Sequence, residues 1–524
     1  MVNPRNKQTP GVYLVEQDAA SISVAQAPTA LPVFLGYTES ARNGDQDLTC
    51  IAMPIASMAE FVRYYGDPAG NEGAPAPRFQ YASAASGTPP FASDAAGPRF
   101  NLYYSLMLFF NNGGGPCYIM SIGSYASAMA SAPAQGDYGA AWSALARCPE
   151  PTMVLMPDAM LLSQADWISV SRQALVHCQA MQNRIAIVDI WQGYRPSNGA
   201  ADDPIAGSGS GADGFYAIGS LGEAFNQFGV AYFPWINTDL VPASSIESSW
   251  FGAGSLATLQ TDLIKEAASL FPASASGDLA RQAYLQQLAG LAPASGRPAG
   301  ANAKDTLHSL HRSIYAISPL YRQAIADLAT SVNLLPPGGA MAGVYARNDN
   351  SAGVWQAPAN TTILSALSPA VAITDSEQAR INTPFNGLAV NPIRSFPQGG
   401  LLVWGARTMA GNSDDWRYVN VRRTMIMLEQ SIKSALQAYQ FQPNEQLTWV
   451  GVSSSIGAFL HAQWQCGALV GAKPADAYTV AVGLGSTMTG LDVMQGMMRV
   501  LVQVALVRPA EFIVLTFEQQ MSAS

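Results

Sequence analysis

The run Phe100–Phe110 (FNLYYSLMLFF) passes directly into Asn111-Asn112-Gly113-Gly114-Gly115-Pro116 and then into Cys117–Ile122 (CYIMSI). A helix that is apolar all round has no face for solvent and must be covered on every side. The glycines and proline stop it, and a short apolar run then reads as a strand. Helix, glycine stop and strand in that order predict an α/β domain. The alternation recurs along the chain. Val33–Tyr37 (VFLGY) reads as a buried strand, Pro151–Met156 as a strand leading to Asp158, and Ala165–Met181 as a helix. Arg184–Ile190 (RIAIVDI) is a strand, Phe215–Phe228 a helix and Val230–Trp235 (VAYFPW) another strand. Strands separated by helices predict a largely parallel sheet.

The remainder is less regular. Met58–Tyr65 is a helical turn ending at Gly66, and Asn71–Pro98 is a loop or small insertion rich in Gly, Pro, Ala and Ser. From Ala243 to about Thr330, helical segments are split by Pro272–Gly277 and Ala292–Ala301, which reads as an insertion or an elaborated helical region. Leu335–Ala346 (LPPGGAMAGVYA) returns to the main domain. A second unit follows the stretch Asn391–Arg423. In Asn420–Tyr439, the residues Val421, Met425, Leu428, Ile432, Leu436 and Tyr439 recur at helical spacing. Asn444–Gly467 gives a second helix, and Ala477–Val482, Met498–Val507 and Glu511–Phe517 read as strands, so this unit is an α+β module.

At 524 residues the chain is too long for one ordinary core, and two or three domains are expected. Charged residues make up only 12%, about half the usual share, against 49% apolar. A chain so poor in charge must bury surface in subunit interfaces, depend on chaperones, or enter a membrane. The membrane reading fails, because the apolar run Met497–Val507 is short and broken by Arg499 and Gln503. No apolar core follows Arg5 and Lys7, so the N-terminus does not read as a signal peptide, and the chain is expected to be made and kept in the cytoplasm until lysis. A net charge of −9 with no basic tract argues against nucleic-acid binding. Cys50, Cys117, Cys148, Cys178 and Cys466 form no CxxC pair and read as reduced core thiols, not as a zinc site or disulfide framework.

No catalytic motif, cofactor site or metal site emerges. His177 and His461 lie in helical apolar patterns, His308 and His311 are three apart near Asp305, and there is no G-x-S-x-G elbow. The runs Gly113–Gly115 and Gly207–Gly211 lack the Lys-Ser/Thr ending of a phosphate loop and the spacing of a dinucleotide fingerprint. Arg422, Arg423 and Lys433 lie on the first helix of the second unit, where a solvated face is the plain reading. Arg394 and Arg407, beside Phe396 and Trp404, are expected to be buried and paired at the domain junction. Gly11–Gln17 (GVYLVEQ) is a short terminal strand with no evident partner nearby, and suits either an edge of its own domain or the sheet edge of another chain.

Six segments together resemble the contractile tail sheath proteins of phages and phage-tail-like injection systems. They are PGVYLVEQ at Pro10–Gln17, FFNNGGGPCYIMSIG at Phe109–Gly123, YFPWI at Tyr232–Ile236, LPPGGAMAGVYARNDNSAGVWQAPAN at Leu335–Asn360, NPIRSFPQGGLLVWGARTMAGNSDDWRYVNVRR at Asn391–Arg423 and RPAEFIVLTFEQQ at Arg508–Gln520. The likeness is collinear over nearly the whole chain, weakens at 71–99 and about 243–330, and looks closest to sheaths of extracellular injection systems. It implies a catalytically inactive, subtilisin-like α/β domain at 26–390 with variable insertions near 71–99 and 243–330, and a C-terminal inner domain at 391–507. Residues 1–25 and 508–524 would be arms whose strands, centred on Val12, Tyr13, Leu14 and Val15 and on Phe512, Ile513, Val514 and Leu515, add to sheets of neighbouring subunits. It further implies a helical homopolymer of stacked hexameric rings around an inner tube protein, contacted through Arg422, Arg423 and Lys433, with baseplate and cap proteins at the ends and sheath paralogues as further partners. Contraction of a strained lattice would then drive the tube through a target envelope, with Arg394, Trp404 and Arg407 fixing the angle between the domains. The rival readings are a non-contractile coat or baseplate-associated protein and an α/β hydrolase.

Overall fold

Nine strands share one sheet among the residues that the computed structural model of the protein describes, namely 23–66, 100–199, 202–208, 213–251, 253–271, 275–291, 301–384, 387–397 and 399–511. In chain order the principal strands are β1 (Pro32–Thr38), β2 (Met53–Ile55), β3 (Cys117–Ser124), β4 (Met153–Leu155), β5 (Ile185–Asp189), β6 (Gly229–Phe233) and β7 (Ile236–Thr238). They continue with β8 (Leu334–Leu335), β9 (Thr361–Thr362), β10 (Ala366–Pro369), β11 (Asn391–Phe396), β12 (Gly400–Val403), β13 (Tyr478–Val482) and β14 (Val500–Val504). The large sheet has the order β9-β12-β11-β6-β5-β4-β1-β3-β2. Its interior pairs, from β11 through β3, are parallel, and both edges are closed by antiparallel strands. The central strands explain themselves: every residue of β1, β4, β5 and β6 is buried, as strands covered on both faces must be. A small second sheet, β8-β7-β10, is antiparallel throughout.

The longer helices are α1 (Leu102–Asn111), α2 (Gln164–Met181), α3 (Ala253–Leu270), α4 (Ala275–Leu291), α5 (Ala301–Ile317), α6 (Pro319–Asn333), α7 (Gly338–Ala352), α8 (Val419–Leu436) and α9 (Gln446–Gln465). Helix α1 ends where Gly113 takes a φ of 98°, open to glycine at little cost, while the Gly114 N–H returns to the Phe109 carbonyl. The helix expected over Phe215–Phe228 is instead a 3-10 segment, Phe215–Leu221, and one short turn, Glu223–Asn226. The break lies at Gly222, whose φ of 87° no helix can contain.

Helices α1 and α7 pack with their backbones unusually close. A methyl group on Gly339 would stand 2.3 Å from the Ser105 carbonyl oxygen, and one on Gly343 would stand 2.4 Å from that of Phe109. Two glycines one turn apart on α7 therefore open a groove for α1, which accounts for the GGAMAG of that segment.

The chain divides into two units. One is Pro28–Ile426, continued by the segment from Arg508, and the other is Met427–Val507, preceded by the segment up to Ala27. The sequence expectation set the start of the inner domain at 391. Instead Asn391–Phe396 is built into the large sheet, where Asn391 and Pro392 pair with Tyr232 and Phe233, so the division falls within α8. In the smaller unit, α9 buries Val452, Ile456, Phe459 and Leu460, and β13 and β14 form an antiparallel two-stranded ribbon. The third strand expected there, Glu511–Phe517, and the N-terminal strand Gly11–Gln17 lie outside the described residues apart from Glu511.

Candidate functional site

The C-terminal ends of parallel strands are where an α/β fold gathers its chemistry. Here those ends hold Asp158, just beyond β4, and Asp189, the last residue of β5, both buried. Asp158 accepts the backbone N–H groups of Tyr37 (2.7 Å), Asn101 (2.5 Å) and Leu102 (3.1 Å), so it caps the start of α1. Asp189 accepts the N–H of Gly338 (2.7 Å) and caps the start of α7. Burial pushes each carboxyl up to about 7, against the pull of those N–H groups. Both carboxylates are thus spent on joining the two close-packed helices to the sheet.

Each histidine has an ordinary partner. His177 lies 3.4 Å from Arg184, and burial together with that cation lowers it to about 4. His308 meets Glu247 at 2.5 Å, His311 meets the Tyr321 hydroxyl at 3.0 Å, and His461 meets Gln465 at 3.1 Å. Among the described residues no three His, Cys, Asp or Glu side chains gather where they would hold a metal ion.

The polar contacts of greatest consequence are built by arginines. Arg407, 4% exposed, grips Glu511 through Nε (2.9 Å) and Nη2 (2.7 Å), while Nη1 donates to the carbonyls of Asn382 and Gly411, each at 3.1 Å. Glu511 also accepts from Asn382 Nδ2 (2.8 Å) and the Tyr418 hydroxyl (2.9 Å). Burial raises the Glu511 carboxyl, but the hydrogen bonds from Arg407 and Asn382 outweigh it and leave the group below its ordinary value. Arg394 donates to Asp375 (2.7 Å) and Gln378 (2.6 Å) and lies over Phe396, whose ring packs 4.5 Å from that of Trp404.

Arg422 and Arg423, read plainly as a solvated helix face and by the resemblance as a contact for the tube, are buried within the subunit. The Arg423 guanidinium forks onto Asp349 at 2.6 and 3.0 Å, stacks on Tyr345 and donates to the Thr29 carbonyl at 3.0 Å. Arg422 lies between the rings of Phe228 and Trp416 and donates to Gln227. The reason is that residues 419–424 are buried on every side, so this end of α8 has no solvated face. Lys433, two turns further on, is exposed. The arm residues Val12, Tyr13, Leu14, Val15, Phe512, Ile513, Val514 and Leu515 lie outside the described residues. Glu511 escaped the sequence reading, although it stands within the tail segment RPAEFIV; a lone acid among apolar residues was the available signal.

Residues 412–520 match the family model of the phage tail sheath C-terminal domain. Over 98% of its length the chain is similar to the anti-feeding prophage (AFP) helical sheath in its contracted state, at 26% identity and a TM-score of 0.58, covering 100% of that chain. It is similar over 98% of its length to the sheath of the extracellular contractile injection system PVC in its contracted state, at 25% identity and a TM-score of 0.57, covering 98% of that chain. The chain thus carries the phage tail sheath C-terminal domain over residues 412–520 and is similar to contractile sheath proteins over nearly its whole length. A third similar structure is a chain of the AFP baseplate, at 25% identity, a TM-score of 0.58 and coverage of 98% of this chain and 100% of that one. No curated protein matches.

The protein is a mixed α/β protein with a large parallel and antiparallel sheet, in keeping with those similar structures. Among its described residues no helix is long and apolar enough to cross a membrane. In its smaller unit, Leu447, Val450, Leu484, Leu491 and Met494 are exposed, and a cavity of about 490 Å³ opens between Leu436, Phe441, Asn444 and Met498. Exposed apolar surface of this kind is the usual character of an interaction surface.

Proposed function

We propose that the protein is a structural, non-enzymatic sheath subunit that polymerises helically around an inner tube and contracts to drive the tube through a target envelope. The observation that carries this reading is the end-to-end likeness to the contracted AFP sheath, at 26% identity over 98% of the chain. The α/β body is read as subtilisin-like and inert, since the carboxylates at its strand ends serve helix starts. Residues 1–25 and 508–524 are read as arms that pair with the C-terminal sheets of neighbouring subunits. The β13–β14 ribbon supports this, because a two-stranded sheet is marginal alone and gains from added strands. Such head-to-tail contacts generate helical filaments when the rotation does not close. Assembly would occur in the bacterial cytoplasm, as stacked hexameric rings with baseplate and cap proteins at the ends, and Lys433 is the exposed cation that remains for the tube. An injection system is favoured over a phage tail by the AFP and PVC likenesses.

The likeness to an AFP baseplate chain supports a second reading, a subunit of the ring next to the baseplate. Negative-stain microscopy of the purified protein tests both. Long hollow tubes are the expected outcome, single rings would favour the second reading, and a persistent monomer would overturn the first.

A further inference from the structure

We propose that Arg407 and Glu511 form a latch that delivers tension from the C-terminal arm to parallel strands of the large sheet. The inference rests on reading 508–524 as an inter-subunit arm. Glu511 accepts from three residues in separate stretches of chain: Arg407 beyond β12, Asn382 at the end of a short helix, and Tyr418 just before α8. Arg407 is held in turn by its backbone. Its N–H donates to Asn391 Oδ1 (2.7 Å), and Asn391 Nδ2 donates both to the Arg407 carbonyl (2.8 Å) and to the Ala231 carbonyl in β6 (3.1 Å). A continuous path thus runs from Glu511 through Arg407 and Asn391 into two parallel strands, β11 and β6.

The neighbouring contact of the same segment is of another kind. Arg508 and Asp415 are 3.9 Å apart, and both are exposed. An exposed pair of that sort carries little. The forked guanidinium–carboxylate bond, with Arg407 buried, Glu511 largely covered and every guanidinium nitrogen engaged, holds direction as well as charge. A pull on residue 512 therefore meets Glu511 first, and Arg407 positions it.

The test uses the full chain in three variants: Glu511→Gln, the paired Arg407→Met/Glu511→Leu, which leaves no orphaned charge, and a deletion of 512–524. Hydrogen exchange of a peptide covering 505–515 is followed in soluble subunits, and tube length is followed by electron microscopy. The expected result is exchange at least about tenfold faster in both substituted proteins, with tubes several-fold shorter and the fold of the paired variant intact. Unchanged exchange would overturn the latch. Faster exchange with tubes of normal length would overturn its role in tension. Normal tubes from the deletion would overturn the arm reading instead, leaving the exchange result to judge the latch separately.

Discussion

Asp189 illustrates how a single buried group sets a pH dependence. Its carboxyl stands at about 7 in the folded chain and at an ordinary 3.8 when exposed. The folded state therefore favours the protonated form, and stability present below about pH 4 is lost as pH rises toward 7. Because only one oxygen accepts a backbone N–H, an amide can take over the cap at Gly338. Asp189→Asn is expected to flatten the fall in melting temperature between pH 4 and 8 and to gain roughly 2–4 kcal/mol at pH 8. Calorimetry across that range checks it; a slope like that of the parent would contradict it. At this scale the sequence is uneven. The aromatic and turn neighbours of Arg407 carry a signal for burial, but its partner lies 104 residues away and leaves no local trace. The same holds for Arg423 and Asp349, 74 residues apart. Adjacent arginines on an amphipathic helix look like a solvated face until the residues that surround them are known.

The elements were far easier to read, because their signals are periodic and local. Runs such as IAIVD at 185–189 could be little else than central strands, and the all-round apolar α1 had to be covered. What failed was a boundary that glycine decides, at Gly222, and the membership of Asn391–Val403, which depends on a pairing with Tyr232 that hydropathy does not encode. The seam between α1 and α7 gives the sharpest element-scale expectation. Alanine is the better helix former by about 1 kcal/mol, so Gly339→Ala and Gly343→Ala would each stabilise an isolated helix. In this fold the added methyl group meets backbone rather than a movable side chain. Each substitution is expected to destabilise by roughly 1–3 kcal/mol in denaturant titrations, and a stabilised variant would contradict the seam.

For the whole molecule, scarce charge and the apolar surface of the smaller unit point to assembly driven by the hydrophobic effect. That drive is entropic near room temperature and strengthens with excluded salts. Polymerisation followed by light scattering is thus expected to increase on warming from about 4 to 25 °C and on adding sulfate. Suppression by moderate sodium chloride would point to ion pairs instead. The way Gln26 and Ala27 are held has a consequence for synthesis. Ala27 bonds to Ser431 and Gln26 to Gln463, so the unit that holds the first described residues is otherwise made of the last part of the chain. On a ribosome, Gln26 and Ala27 must wait roughly tens of seconds for these partners to be translated. Until then the smaller unit is unfinished, so a half-made chain does not yet present that unit's folded apolar surface.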